Sequence, residues 1–195
     1  PVLTADTGDV DENATLTVVV ADGVLANDSD IDGDSLTVSG ILDGTSGTAT
    51  AVATGTPGVV INSYGTLTMN ADGSYSFAAN GADAEKLADG DTHEVVFTYT
   101  ATDGTVSKTS TLTITITGTN DDPVLTADTG DVDENATLTA SAADGVLAND
   151  SDIDGDSLTV SGILDGTSGT ATAVATGTPG VVTNSYGALT MNADG

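Results

Sequence analysis

Cysteine, tryptophan and arginine are all absent from this chain of 195 residues. Without cysteine, no disulfide can staple a domain, and no thiolate can act as a nucleophile or a metal ligand. Aromatic residues are scarce, with four tyrosines and two phenylalanines, so any core must be mainly aliphatic. No apolar run approaches membrane-span length. The chain starts without methionine or a signal peptide, and we therefore expect it to be an excerpt of a longer protein.

Basic side chains are limited to Lys86 and Lys108, against 30 acidic residues, which gives a formal net charge of −28. Such a charge keeps a protein soluble but pushes its compact state apart. Nucleic acids and anionic membranes attract cationic proteins, so we expect no nucleic-acid partner and no membrane insertion. The balance of charge favours cations as ligands, and we expect the protein to be monomeric.

Histidine occurs once, at His93, next to Glu94 in a strand-like segment. A lone histidine is more often a surface residue than a catalyst. No Ser-His-Asp set can be assembled from the sequence. Carboxylate pairs that hydrolyse glycosides need apolar surroundings to raise one pKa, and the chain has few aromatic residues to provide them. The sequence therefore predicts that the protein is not an enzyme.

A long internal repeat organises the chain. Residues 1–73 align without a gap with residues 123–195 and differ at only five positions. Such near-identity indicates a recent tandem duplication, which suits a protein whose length is useful. We predict one domain at 1–122, with "GTNDDP" as a linker at its end, and the N-terminal part of a second domain at 123–195. Because the second copy lacks the last strands, we expect it to expose sheet edges and apolar faces.

Alternating apolar and polar residues predict short β-strands throughout the first repeat. The segment 66–77 is typical of a hairpin with a turn at 70–73. In 94–104 one face carries the aromatic side chains, and in 111–117 the leucine and isoleucines point inward. About seven or eight strands and no long helix predict an all-β, Ig/cadherin-like β-sandwich in tandem, with an incomplete second copy. Further predicted elements are strands at 14–20, 35–40 and 48–54 and one helical turn within 82–88.

The segment "ANDSDIDGDSLTV" carries four aspartates at alternate positions, namely Asp28, Asp30, Asp32 and Asp34. An ordinary turn needs only one or two such residues, and four carboxylates repel one another unless a cation lies among them. Oxygen ligands at this spacing are typical of calcium sites. An EF-hand is excluded, because Ser39 occupies the position of its bidentate glutamate and the flanks are strand-like. The ion must therefore recruit other ligands, and candidates lie in "DVDENATLT", "TATDG" and "GTNDDP".

These motifs resemble those of cadherin repeats. "VDENATL", "NDSDIDGDSLTV" and "TATDGTVSKTSTLTITITGTNDDP" are similar to the opening, the Asp-x-Asp segment and the final strands with the linker. The chain is most similar to bacterial cadherin-like repeats of the VCBS type, found in giant calcium-dependent RTX surface adhesins that type I secretion exports. "GVLANDSDIDGDSLTV", "MNADGSYSF" and "TLTITITGTNDDP" carry this closer resemblance.

The resemblance implies a β-sandwich with calcium at or near the domain junctions. It also implies that neighbouring repeats are the partners of each domain. The linker departs from the cadherin pattern, with Asp122 where a second asparagine is usual. A site closed within one domain is equally compatible with the sequence. The implied calcium ligands are Glu12, Asp28, Asp30, Asp32, Asp34, Asp103, Asn120 and Asp121, with Glu134, Asp150, Asp152, Asp154 and Asp156 at the matching positions of the second copy.

The family implies a calcium-stiffened extender of a secreted bacterial surface protein, active in cell adhesion and biofilm formation. Calcium would be scarce in the cytosol and abundant outside, so folding would follow export. The alternative is a β-sandwich that binds a carbohydrate or another surface ligand, either here or through other domains of the parent protein. Its aromatic candidates are Tyr64 and Tyr186 in "NSYG".

Overall fold

A computed structural model describes all residues of the chain, Pro1–Gly195. The chain divides into two compact units, unit 1 at Pro1–Asn120 and unit 2 at Asp121–Gly195. The division falls inside the "GTNDDP" segment, just before the start of the sequence repeat. All regular elements are β-strands apart from two 3-10 turns, at Val20–Asp22 and Ala84–Lys86. The predicted all-β class is confirmed.

Unit 1 is a sandwich of two sheets. A five-stranded sheet contains β1 (Asp6–Asp11), β3 (Thr37–Asp43), β4 (Thr50–Ala51), β8 (Thr92–Thr102) and β9 (Ser107–Thr117). A four-stranded sheet contains β2 (Thr15–Val18), β5 (Gly58–Ile61), β6 (Thr66–Met69) and β7 (Tyr75–Ala78). The strand orders are β1-β9-β8-β3-β4 and β2-β7-β6-β5.

The core between the sheets is formed by every second side chain of the strands, because alternate residues of a strand point to opposite faces of its sheet. In β8 and β9 alternate side chains are fully buried, among them Phe97, Tyr99 and Ile114. The hairpin at β6 and β7 pairs Leu67 with Phe77 and turns at 70–74. The rings of Phe77 and Phe97 meet across the sandwich with centroids 5.7 Å apart. The predicted inward faces of these four strands are therefore confirmed.

Two strands of unit 1 were not predicted from the sequence. The first is β1, whose "DTGDVD" composition is typical of turns, and the second is β5, "GVVI". In the structure β1 pairs in parallel with β9, more than a hundred residues away in sequence. The predicted strand at 14–20 ends at Val18, and the predicted strand at 48–54 is reduced to Thr50–Ala51. Pairing with strands that are distant in sequence determines where these strands form and where they end. A local sequence pattern carries no information about such pairing.

Unit 2 contains four short strands in two hairpins. They are β10 (Gly162–Ile163) with β11 (Thr172–Ala173), and β12 (Gly180–Asn184) with β13 (Gly187–Met191). Val174 is its one hydrophobic residue in the buried class, whereas Leu138 and Leu189 are more than half exposed. No helix of the structure has the length and apolar character that crossing a membrane requires.

Candidate metal centre

The loop that carries the four aspartates of unit 1 lies beside the N-terminal segment of the chain. Ser29 and Val2 form an isolated antiparallel bridge with backbone hydrogen bonds of 2.7 and 3.0 Å. Asp28 and Asp30, on either side of Ser29, are partly buried. Asp32 and Asp34 remain exposed. The structure therefore does not gather the four carboxylates into one cluster.

Asp28 uses both carboxylate oxygens within the fold. Its Oδ1 accepts a hydrogen bond from the backbone N–H of Thr4 at 2.8 Å, and its Oδ2 accepts one from the Tyr99 hydroxyl at 3.0 Å. The same hydroxyl lies 3.1 Å from the carbonyl oxygen of Val24. Burial, with the charges of Asp6 and Asp28, holds the pKa of Tyr99 well above its usual value. Asp28 therefore anchors the acidic loop to a core tyrosine.

Asp6 is a functional candidate that the sequence analysis missed. Its Oδ1 accepts a hydrogen bond from Asn27 Nδ2 at 3.0 Å, whereas its Oδ2 is buried without a hydrogen-bond partner. Burial raises the pKa of Asp6 to about 6, and the neighbouring charge of Asp28 acts in the same direction. No motif or spacing marks Asp6, because its neighbours in space lie in distant segments of the chain.

Asp6→Asn is expected to stabilise the protein at pH 7 and to leave its stability near pH 4 almost unchanged. Because the pKa of Asp6 is higher in the folded state than its ordinary 3.8, the folded state holds the proton more tightly. The stability that this proton provides is complete below pH ~4 and is lost as the pH rises through about 6. Asparagine removes the charge and keeps the Oδ1 acceptor. The expected gain is about 1 kcal/mol, after allowance for partial solvent access.

Urea unfolding in EDTA, followed by circular dichroism at both pH values, measures the effect of Asp6→Asn. The matched control is Asp9→Asn, an exposed position on the same strand β1. An equal gain for Asp6→Asn at pH 4 and pH 7 would contradict the assignment.

Asp30 and Asp103 approach each other at the start of unit 1. Their Oδ2 atoms lie 2.8 and 3.9 Å from the backbone nitrogen of Pro1. The backbone N–H groups of Val106 and Thr105 lower the pKa of Asp103 by donating to its Oδ1, each at 2.7 Å. The fold thus brings together two predicted ligands that lie in distant loops.

Glu12 is buried, with 3% of its surface exposed. Its Oε1 accepts hydrogen bonds from the backbone N–H and the hydroxyl of Thr119, at 2.7 and 3.0 Å. Its Oε2 is buried and accepts no hydrogen bond. Glu12 directly follows β1, and the left-handed backbone of Asn13 (φ 59°) ends that strand. A buried carboxylate oxygen without a partner is costly unless a cation compensates it, so this site fits a metal ion.

Unit 2 reproduces part of this arrangement with its own residues. Asp150 Oδ1 accepts from the N–H of Thr126 at 2.7 Å, as Asp28 does from Thr4. Asp154 Oδ2 accepts from the N–H of Asp121 at 2.8 Å, and Asp154 Oδ1 is buried without a hydrogen-bond partner.

The remaining predicted ligands lie toward solvent. Asp152 is half-buried and its Oδ1 accepts from the N–H groups of Asp154 and Asp156 at 3.0 and 3.4 Å. Asn120, Glu134 and Asp156 are exposed.

The predicted ligands of both units are Asp, Glu and Asn side chains, which offer oxygen donors and no sulfur. Oxygen donors of this kind suit hard cations, and calcium accepts six to eight of them in flexible geometry. Glu12 Oε2 in unit 1 and Asp154 Oδ1 in unit 2 are among the buried carboxylate oxygens that accept no hydrogen bond. In each unit, therefore, the chemistry of the residues fits calcium.

His93 packs against a neighbouring aromatic side chain. Its ring stacks on Tyr64 with centroids 3.8 Å apart and planes 7° apart. This stack covers one face of Tyr64, which the sequence analysis named as a candidate for binding sugars. The Tyr186 ring is 98% exposed. The single histidine thus packs against an aromatic ring at the edge of the sandwich.

Comparison with known proteins gives two family matches. Residues 1–118 match the model of the bacterial cadherin-like domain, and residues 120–195 match the model of a bacterial Ig domain. Domains of both kinds are typical of extracellular surface proteins. Among solved structures, an endo-fucoidan hydrolase of glycoside hydrolase family 107 is similar with 19% identity and a TM-score of 0.32. That similarity covers 64% of this chain and 15% of the hydrolase. No curated protein matches the sequence.

Proposed function

Because this chain belongs to the bacterial cadherin-like domain family, we propose that it is a calcium-binding extender of a large secreted adhesin on a bacterial cell surface. Its resemblance to VCBS-type repeats of RTX adhesins supports export by type I secretion and a role in cell adhesion and biofilm formation. Calcium stiffens the repeats and the linkers that join them. The chain serves as a spacer and not as an enzyme, and contacts with target surfaces belong to other domains of the parent protein.

The observation that carries this proposal is the state of Glu12. One oxygen of its carboxylate is fixed by Thr119, which lies at the start of the linker segment. The other oxygen is buried without a hydrogen bond. A bound cation at Oε2 supplies the missing compensation. Glu12 then holds the end of β9 and the start of the linker in one geometry.

The pair Asp30 and Asp103 supports a second cation site in unit 1. Their Oδ2 atoms lie near the same backbone nitrogen, that of Pro1, and backbone N–H groups orient both carboxylates. Because such N–H donors occupy Oδ1, the Oδ2 atoms are the ones directed at the cation. The fold thus orients these side chains before the ion arrives, which reduces the entropy lost on binding.

The net charge of −28 explains why the protein needs these ions. Two lysines cannot offset the repulsion among 30 acidic side chains, whereas divalent cations at the acidic loops can. A ligand that binds only the folded state stabilises that state by mass action. The chain would be loosely folded at cytosolic calcium levels and stiff at extracellular ones.

The Glu12→Gln variant tests the proposal. Glutamine keeps the shape of the side chain and the acceptor for Thr119, but it removes the charge that holds the ion. We expect calcium affinity at the site to fall at least about tenfold, because a direct ligand contributes at least as much as the groups that support it. Isothermal titration calorimetry of the EDTA-treated chain with calcium, and separately with magnesium, measures the affinity.

The matched control for Glu12→Gln is Glu94→Gln, the same chemical change at an exposed position of β8. We expect Glu94→Gln to bind calcium like the native chain. Equal affinities for the Glu12→Gln variant and the native chain would contradict the role of Glu12, and no calcium binding by the native chain would reject the proposed function.

A further inference from the structure

The outer face of the four-stranded sheet in unit 1 contains no charged residue. The registers of β2, β7, β6 and β5 align its outward side chains in two rows across the sheet. We call these eight residues the neutral face. The first row is Thr17, Ser76, Thr68 and Val59, and the second row is Thr15, Ala78, Thr66 and Ile61.

The opposite side of the sandwich differs in charge. On the outer face of the five-stranded sheet, Asp9 and Glu94 flank Thr115 in one row. Asp11 on β1 is also exposed. One broad face of a polyanionic domain is thus free of carboxylates, while the other is not.

The neutral face also exposes apolar side chains. Ile61 is 74% exposed and Val59 is 45% exposed on the edge strand β5. At the end of β2, Val19 and Val20 are 59% and 53% exposed and border a groove of about 330 Å³ that includes Thr17, Thr68 and Ser76. The exposed apolar side chains thus lie at both edges of the neutral face, with small and hydroxyl-bearing side chains between them.

The differences between the two copies of the repeat fall at this same place. Ile61 and Thr66 are cross-strand partners in unit 1, and their counterparts Thr183 and Ala188 are cross-strand partners in unit 2. The other three differences lie in the segment 18–20, which lines the groove. Every difference is therefore at the neutral face or its border, and each makes the first copy the bulkier one. The five pairs are Val18/Ala140, Val19/Ser141, Val20/Ala142, Ile61/Thr183 and Thr66/Ala188.

We propose that the neutral face is a contact surface for a second copy of this chain. A partner rich in basic residues would be attracted to the acidic loops and to the other sheet, not to a face without carboxylates. Two copies that each carry a charge of −28 repel each other least where neither presents a carboxylate. A two-fold contact needs only one self-complementary patch, and a face without charges does not repel its own copy.

The size of the neutral face makes a single contact weak. Four strands ~4.8 Å apart and about four residues long present roughly 250 Å². Two such faces bury about 500 Å², well below the ~1,200 Å² of a stable complex. At low salt the net charge keeps the chain monomeric, as the composition predicts. Side-by-side tandem chains would add such contacts through multivalency.

Static light scattering of the full chain tests the proposal through the osmotic second virial coefficient. We expect this coefficient to change from positive at low salt to negative in about 1 M NaCl, where the Debye length is ~3 Å. The first variant gives the first copy the residues of the second, as V18A, V19S, V20A, I61T and T66A. Its net charge is unchanged, and we expect its coefficient in high salt to stay less negative than that of the native chain.

A second pair of variants keeps the test decisive if the fivefold variant does not fold. Thr17→Asp places a charge on the neutral face, and Thr92→Asp places the same charge at an exposed position of β8. We expect Thr17→Asp to abolish the attraction in high salt and Thr92→Asp to preserve it. Circular dichroism checks that each variant is folded. Equal coefficients for these two variants, or a native chain that stays repulsive in high salt, would overturn the proposal.

The measurements are made both in EDTA and in calcium. The neutral face contains no carboxylate, so the difference between Thr17→Asp and Thr92→Asp should be the same in both buffers. Failure of calcium binding would therefore leave this result unaffected, and the two proposals are tested separately.

Discussion

Removing calcium with EDTA is expected to lower the thermal unfolding midpoint of the chain by about 10 °C or more. An ion present at 100 times its dissociation constant stabilises the folded state by ~2.7 kcal/mol. For domains of this size each kcal/mol shifts the midpoint by roughly 4 °C. On the proposed function, the buried oxygen of Glu12 is the group that would lose its cation.

Thermal unfolding followed by circular dichroism measures this shift in calcium, in magnesium and in EDTA. Sodium chloride at matched ionic strength separates specific binding from simple screening of the −28 charge. Specific sites predict that calcium raises the midpoint far more than sodium and more than magnesium, which resists losing its water ligands. An identical midpoint in EDTA and in calcium would contradict the extender hypothesis.

The Phe77→Ala variant is expected to lose about 3–5 kcal/mol of unfolding free energy in unit 1, because it deletes a large buried ring and leaves a cavity. Phe77 has no exposed surface, and its ring packs on Phe97 of the opposite sheet. Only six residues of the chain are aromatic, so the core has few large side chains with which to fill the gap. This loss is a large part of the 5–15 kcal/mol that stabilises a typical domain.

The matched control for Phe77→Ala is Tyr186→Ala, since both remove an aromatic ring and the Tyr186 ring is 98% exposed. We expect the control to change stability by less than ~0.5 kcal/mol. Urea unfolding followed by circular dichroism, in saturating calcium, measures both variants. Similar losses for the two variants would show that the packing of Phe77 and Phe97 does not dominate the core.

Local patterns in the sequence determine the central strands. The alternation in β8 and β9 predicts that Phe97, Leu112 and Ile114 point inward, and all three are fully buried. The hairpin at 66–78 follows from its turn residues and from the apolar positions on either side. These features are predictable because the period of a strand and the chemistry of a short turn are local properties.

Strand β1 could not be predicted in the same way. Its residues, "DTGDVD", are poor strand formers, and only its parallel pairing with β9 makes it a strand. The five-stranded sheet therefore depends on a contact between the two ends of unit 1. Such a contact is a property of the folded chain.

The sequence by itself determined the chemistry of the candidate ligands, because an excess of carboxylates without cysteine leaves mainly oxygen donors, which are of the kind that suits a hard cation. It did not determine which carboxylates meet. Asp28 accepts a hydrogen bond from Tyr99, 71 residues away, and Asp30 lies near Asp103. Burial raises the pKa of Asp6, although no sequence motif marks this residue. Only the tertiary structure decided these pairings, because burial and the approach of distant loops arise when the two sheets pack together.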